Sequence, residues 1–493
     1  MSERTCATKR PPALPGKRSS LIVLASVVFA ILLIPLIALL IWYVSVRTSN
    51  SSVIRELEAE ARQRGEPLTL AELQAKYPPI PDEENAAVPL MALWEAEDPH
   101  FWRAFLNDER PLPEPVAVEY DPALPYLGSD ARRIPRGPLD SNSLAAADSY
   151  RSATASHLER VRRALRRPYF RFPVKLEDGP NALLPHLNRL KTEAQSFSIV
   201  ALVASERGDN DTAIMELENA ARTGQILGDE PVLMSQLVRI ACLAISVDGF
   251  EQLLSRQSLT SDELERLRIL LEQSNLHGVA QTSLVNERAE VLCMLDPDII
   301  AQAAASSPSN DDEERPEQTA FKIRAGYGLM QSIGFLDFDR RLILETFQRA
   351  IALAKKETPE SLTDVEELFG EVKIKAHKFP PKLFSGLLLP ALERIPHRYA
   401  SYEARRQAAM TAVSIECYRL RNQGQIPDGL ASLVPAYLSA VPQDPFDGRP
   451  LRFHKLERGY VVYSIGRDRE DNGGKEHTRG SVEHTDLTFI VDR

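Results

Sequence analysis

The chain has 493 residues, 43 % of them hydrophobic and 26 % charged, which supports packed cores and excludes a disordered polymer. Its formal net charge of −10 is uneven: residues 1–20 hold five basic groups and one acid, leaving 54 basic and 68 acidic groups beyond them. An outer surface that acidic is a poor general ligand for nucleic acid, so no nucleic-acid role is expected.

Leu21 to Val46 is a run of twenty-six uncharged residues. As a helix it would be about 39 Å long, enough to cross a hydrocarbon core of about 30 Å. Arg4, Lys9, Arg10, Lys17 and Arg18 precede it against Glu3 alone. The 1–20 tail is therefore predicted to stay in the cytoplasm, the 21–46 segment to span the inner membrane, and the bulk to lie outside. A cleaved signal peptide is the rival reading. Its apolar region would be about 7–15 residues, and the exit from Trp42 to Arg47 is a poor cleavage site. Trp42 and Tyr43 fit an interfacial aromatic belt, and Pro35 is tolerable inside a membrane helix.

After a polar Ser/Asn/Thr stretch, Val53 to Arg64 reads as a helix stopped by Gly65. Thr69 with Glu72 forms a capping box for a short helix from Leu70 to Lys76, ended by Pro78, Pro79 and Pro81. The segment Asp82-Glu83-Glu84-Asn85-Ala86-Ala87 starts a helix carrying Leu90, Leu93 and Trp94. Residues 107–143, rich in Pro, Gly and Asp, read as a long ordered loop or strap.

From Asn188 the helical period is strong, with Ile199, Leu202 and Val203 on one stripe. Gly208-Asp209-Asn210 turns the chain into a second stripe through Ala213, Ile214, Leu217, Ala220 and Ala221. A third helix follows Asp229-Glu230-Pro231, and Thr260 with Glu263 caps a fourth. Short turns of this kind imply a bundle or a solenoid-like stack over 47–302. The stretch from Gly208 to Ala220 resembles the turn and second helix of one tetratricopeptide unit, without its aromatic signature or a visible 34-residue period.

Residues 303–316 contain Ser306-Ser307-Pro308-Ser309-Asn310 and then four acids, and read as a linker. Helices resume over 317–395, with Asp339 to Lys356 and a helix opened by Thr358-Pro359. A long helix from Arg398 to Asn422 places Tyr402, Ala409, Val413, Cys417 and Leu420 on one face before Gly424 stops it. The period then changes to strands at 451–454, 460–465 and 487–491.

Over 396–493 this order resembles the globular domain of the type II secretion major pseudopilin. The matching residues are Ile426-Pro427, Leu430, Leu433-Val434-Pro435, Asp444-Pro445-Phe446-Asp447-Gly448, Tyr463-Ser464-Ile465-Gly466, Asp468, Gly473-Gly474 and Asp486-Leu487. The resemblance implies a calcium loop, and Ser464, Asp468 and Asp486 are the positions that match. Asp471 and Asn472 are further oxygen donors nearby, as a hard cation prefers. A plain turn at Asp471-Asn472-Gly473 is the alternative, with Arg467, Arg469 and Lys475 neutralising the acids. Prepilin processing is not expected, because Gly16 is followed by Lys17 and Leu21 stands where a glutamate is required. The whole chain also resembles uncharacterised bacterial membrane-anchored proteins carrying a Pro-Asp-Glu-Glu-Asn-Ala-Ala segment, which implies no activity.

No HExxH, P-loop, GxSxG, CxxC or EF-hand pattern is present. Cys242, Cys293 and Cys417 read as buried small hydrophobes, with at most one disulfide. His477 and His484, among Glu476, Glu483 and Asp486, read as a solvated loop before a metal site. The arginines from Arg160 to Arg171, with Tyr169, Phe170 and Phe172, read as a solvated, ion-paired helix face; contact with anionic lipid or wall polymer is the alternative. Glu287-Arg288-…-Glu290 reads as an internal salt bridge.

The expected fold is mainly α: an N-terminal transmembrane helix, an extracytoplasmic helical bundle or solenoid-like region, and a small α/β C-terminal module. The expected function is a single-pass envelope protein with a structural or protein-interaction (scaffold) role, its partners being the membrane and other envelope proteins. An extracytoplasmic hydrolase acting on wall or polysaccharide, or a secretion-system-associated component, are the alternatives.

Overall fold

The computed structural model describes residues 17–97, 120–128, 134, 136–306, 316–332, 334–377, 382–476 and 485–493. The protein is mainly helical, with a small three-stranded antiparallel sheet near its C-terminus. Two compact units divide it, Met1–Glu56 and Leu57–Arg493.

Helix α1 (Lys17–Gln63) contains the whole apolar run and continues past Glu56, where the first unit ends. The polar stretch does not interrupt it, contrary to the separate helix expected from Val53. Thr48, Ser51 and Ser52 turn their hydroxyls back to the carbonyls of Val44, Arg47 and Ser49, so they are used inside the helix and cap nothing. Past its end Gly65 adopts φ +68°, the left-handed turn a glycine allows.

In the second unit α2 (Leu70–Ala75) follows the end of α1, and its capping box forms as its sequence predicts: Glu72 N donates to Thr69 Oγ1 at 3.2 Å. Asp82 to Asn85 form a turn, and helix α3 starts only at Ala87 (Ala87–Glu97). Its Leu90 and Trp94 are fully buried, and Trp94 stacks on Phe172 at 6.3 Å. Of the expected strap, residues 107–119, 129–133 and 135 lie outside the described residues. Within its described part, the segment from Tyr120 to Gly128 puts Leu124 into a cluster with Ala147, Ile199 and Val203.

Helices α4 (Ser141–Leu165), α5 (Pro185–Glu206), α6 (Asn210–Gln225) and α7 (Leu233–Arg256) form the centre of the body. Consecutive helices from α5 to α7 pack on one another, and α5 also meets α7. Helix α7 is long and apolar enough to cross a membrane by composition. Its packing against α5, α6, the long C-terminal helix and the last strand accounts for that composition as core. Helix α8 (Ser261–Gln273) carries the second predicted capping box, on Thr260 and Glu263. Helices α9 (Val279–Cys293), α10 (Pro297–Ser306), α11 (Pro316–Ser332), α12 (Leu336–Ala354), α13 (Pro359–His377) and α14 (Leu383–Leu388) follow. Residues 307–315 of the expected linker lie outside the described residues.

Helix α15 (Arg394–Arg421) buries Tyr402, Ala409 and Val413, while Leu420 at its last turn is exposed. Strands β1 (Arg452–Lys455), β2 (Tyr460–Ser464) and β3 (Leu487–Val491) pair in the order β1-β2-β3. Central β2, Tyr-Val-Val-Tyr-Ser, is buried throughout, as its β-branched and aromatic content favours. Tyr460 Oη donates to Glu416 Oε1 at 2.9 Å, joining the sheet to α15. Ile490 N donates to Glu251 Oε1 at 3.0 Å and Ser255 Oγ to Ile490 O at 3.2 Å, joining it to α7.

Candidate functional site

The five residues of the expected calcium loop are distributed over two arrangements. Ser464 faces Asp444, to which its hydroxyl donates at 2.8 Å. Asp444 is fully buried and also accepts from the amides of Phe446 and Ile465 and from Arg452 Nη1 at 2.8 Å. This places the Asp444-Pro445-Phe446 turn under the end of β2 and engages the Ser464 hydroxyl there. Asp471, Asn472 and Asp486 do come together. Asp486 accepts from Asn472 N at 3.3 Å and Gly474 N at 2.7 Å, and Asp471 accepts from Tyr463 Oη at 3.1 Å. Asp468 caps its own turn through Glu470 N.

Burial holds the Asp486 carboxyl above the usual carboxylate range; the Gly474 and Asn472 amides oppose this, and Asp471 and Asp468 add to it. Arg467 reaches Glu393 at 3.0 Å and Arg469 reaches Glu366 at 3.8 Å, so both arginines serve carboxylates outside the loop. Among the described residues no group of three or more His, Cys, Asp or Glu is disposed to hold a metal ion. His477, Glu483 and His484 lie outside the described residues.

A groove of about 500 Å³ opens between four segments that no local pattern connects: the turn before α9, the α12–α13 junction, α15, and the Gln443–Gly448 turn. Leu276, Ala280, Leu362, Val365, Pro396 and Tyr399 supply apolar walls. Its carboxylates are already engaged. Glu357, held at φ +49°, accepts from Gly278 N at 2.6 Å and pairs with His277. Glu403 accepts from Arg406 Nη2 at 2.6 Å, and Asp444 is bound as described. Gln407 donates to Glu403 at 2.9 Å, while its Oε1 is buried with no hydrogen-bond partner among the described residues. The pattern is an apolar slot with one open acceptor, suited to binding more than to bond cleavage.

Two clusters invite a catalytic reading and differ from it in geometry. His186 Nε2 and Ser235 Oγ both meet Glu230, so the carboxylate stands between hydroxyl and imidazole. A serine nucleophile needs the imidazole beside it. On α9, Glu287 and Glu290 lie one turn apart, and Arg288 leaves them for Glu66 at 2.9 Å. The expected internal salt bridge is thus absent, because Arg288 points into the body and its neighbours do not share its face. Burial pushes the Glu287 carboxyl up to about 7 and, with the Glu287 charge, the Glu290 carboxyl up to about 8. Neither lines the groove.

Cys242, Cys293 and Cys417 are free thiols, and burial pushes the first two up to about 12. Such thiols are poor nucleophiles. The arginine cluster is largely ion-paired as expected, Arg160 with Glu97 and Arg162 with Glu216 at 3.1 Å. No protein-family model, curated protein or solved structure matches this chain.

Proposed function

We propose that this chain is a single-pass envelope protein of the inner membrane, N-terminus inside, whose outer helical body binds a peptide segment of a partner protein. The anchor reading is supported by exposed Ile34, Ile37, Ile41 and Val44 on α1, apolar side chains that favour a lipid surround over water. The binding reading is carried by the groove: apolar walls would take a side chain, and Gln407 Oε1 would accept a backbone N–H. The C-terminal loop has an all-oxygen donor set, and Asp471 beside Asp486 suits a calcium ion with Asn472; Ser464, bonded to Asp444, does not fit that role.

A hydrolase is the second reading. Glu287 and Glu290 favour it, since a carboxyl that stays protonated near neutral pH can act as a general acid. Association with secretion machinery rests on the C-terminal resemblance alone.

The test is a photo-crosslinking residue at Ala400 in the groove of the full-length chain, in intact cells, followed by carbonate washing. The chain should stay in the membrane fraction and carry a discrete adduct, which Leu362→Arg should remove. Recovery of a soluble form beginning after Val46 would reject the anchor. Adducts identical to those from a probe at exposed Met234 would reject the groove.

A further inference from the structure

The segment Pro81-Asp82-Glu83-Glu84-Asn85-Ala86 has no part in the groove, yet it bonds to the 169–171 wall of another cavity. Ala86 N donates to Tyr169 O at 2.9 Å, Asn85 Nδ2 to Arg171 O at 2.7 Å, and Arg171 N to Asn85 Oδ1 at 3.0 Å. One asparagine side chain thereby imitates a strand partner and fixes the backbone of the 169–171 segment. The Arg171 guanidinium is laid on the Tyr77 ring, 4.2 Å from its centroid. Across a cavity of about 210 Å³ stands Arg222 of α6, over the Phe170 ring at 5.8 Å.

The donors of this cavity are in excess. Arg222 donates only to the carbonyls of Leu165 and Arg167, both at 3.4 Å, and has no carboxylate partner among the described residues. Burial lowers its proton affinity, with no acid to offset it. Arg171 Nε and Gln225 Nε2 are buried without a hydrogen-bond partner among the described residues. The one acid at the rim, Asp229, is 3.8 Å from Arg171 and largely in solvent. Arg171 and Gln225 with unused N–H donors, beside the carboxylate-free Arg222 guanidinium, call for a ligand that only accepts.

We propose that this cavity binds a small oxyanion, a phosphate or carboxylate group, between Arg171, Arg222 and Gln225. The planar guanidinium forks match either group, whereas a cation would meet two positive charges. The volume admits one headgroup, so the anion is a free ion or the terminal group of a larger molecule. This inference is independent of the groove and of the calcium loop.

The experiment is thermal melting and calorimetric titration of the full chain in neutral detergent, at constant ionic strength, with inorganic phosphate and with glucuronate as probes. A saturable upward shift with either probe supports the site, and the preferred probe assigns the source as phosphorylated or carboxylated. Arg222→Met and Gln225→Glu should each weaken binding by about tenfold or more, the latter by placing a carboxylate in the cavity. Arg222→Lys keeps the charge, loses the fork, and should fall between them and the native chain. Arg163→Met, an exposed arginine outside the cavity, should bind as the native chain does. No saturable shift with either probe, or an equal shift in Arg222→Met, would overturn the proposal.

Discussion

Arg288 and Glu66 form a 2.9 Å ion pair between α9 and the turn before α2, and that pair leaves Glu287 and Glu290 without the cation between them in sequence. The helix period explains it: neighbours along α9 point about 100° apart, so one residue can face the core while the next does not.

The first prediction follows from the two glutamates. Burial, joined at Glu290 by the Glu287 charge, raises both folded-state carboxyls well above the ordinary 4.5, so folding takes up protons as pH rises above that value. Their contribution is complete below about pH 4.5 and is lost as pH rises through 7 and 8. Glu290→Gln should flatten the stability curve over that window and add on the order of 2 kcal/mol at pH 8.5. Denaturant unfolding at pH 5 and pH 8.5 checks it; the same slope in both proteins would show that Glu290 titrates normally.

His157 should give the opposite chemical type with the same sign. Burial alone would lower its proton affinity, but Glu193 at 2.7 Å and Glu97 at 2.7 Å outweigh it and raise the imidazole. A raised histidine contributes most below its unfolded value and loses that contribution as pH rises through its folded one. His157→Gln should therefore cost about 1 kcal/mol at pH 5.5 and little at pH 9. A penalty equal at both pH values would mean the ring acts by shape alone.

Asp444→Ala should be among the most damaging single substitutions in the C-terminal segment. It removes the acceptor of two amides and one hydroxyl and leaves Arg452 with Asp447 and a longer 3.9 Å pair to Asp471. Breaking a buried pair of this kind costs about 3–5 kcal/mol. Chemical denaturation of the purified chain reads the loss, and a change under about 1 kcal/mol would show that solvent replaces these contacts.

The calcium ion proposed for the C-terminal loop can be tested by melting. Millimolar calcium should raise the melting temperature relative to chelator, and Asp486→Asn should abolish the gain. A hundredfold excess over the dissociation constant corresponds to about 2.7 kcal/mol. Equal melting in calcium and chelator would leave Asp486 as the anchor of a turn, held by the Asn472 and Gly474 amides.

Much of the architecture was legible because its signals are local. The boxes at Thr69/Glu72 and Thr260/Glu263, the stop after α15, and the short β-branched and aromatic runs that make β2 and β3 each depend on residues close in sequence. The continuity of α1 was not legible, since a serine-rich stretch reads as a break until its hydroxyls are seen bonded backward. The C-terminal resemblance puts Ser464 near a cation, but the choice between loop and Asp444 is made by the fold.

The sequence by itself determined the apolar N-terminal run, the helical majority, the change to strands near the end and the acidic character of the whole, because composition and period are properties of a chain. Only the tertiary structure decided which charges are neighbours. It gave Arg288 to Glu66, set Arg171 against Arg222, and left Gln407 open in a groove built from four separate segments. The physical reason is that ion pairing, burial and unused hydrogen-bonding capacity depend on distances in space, and residues far apart in sequence acquire those only when the helices pack.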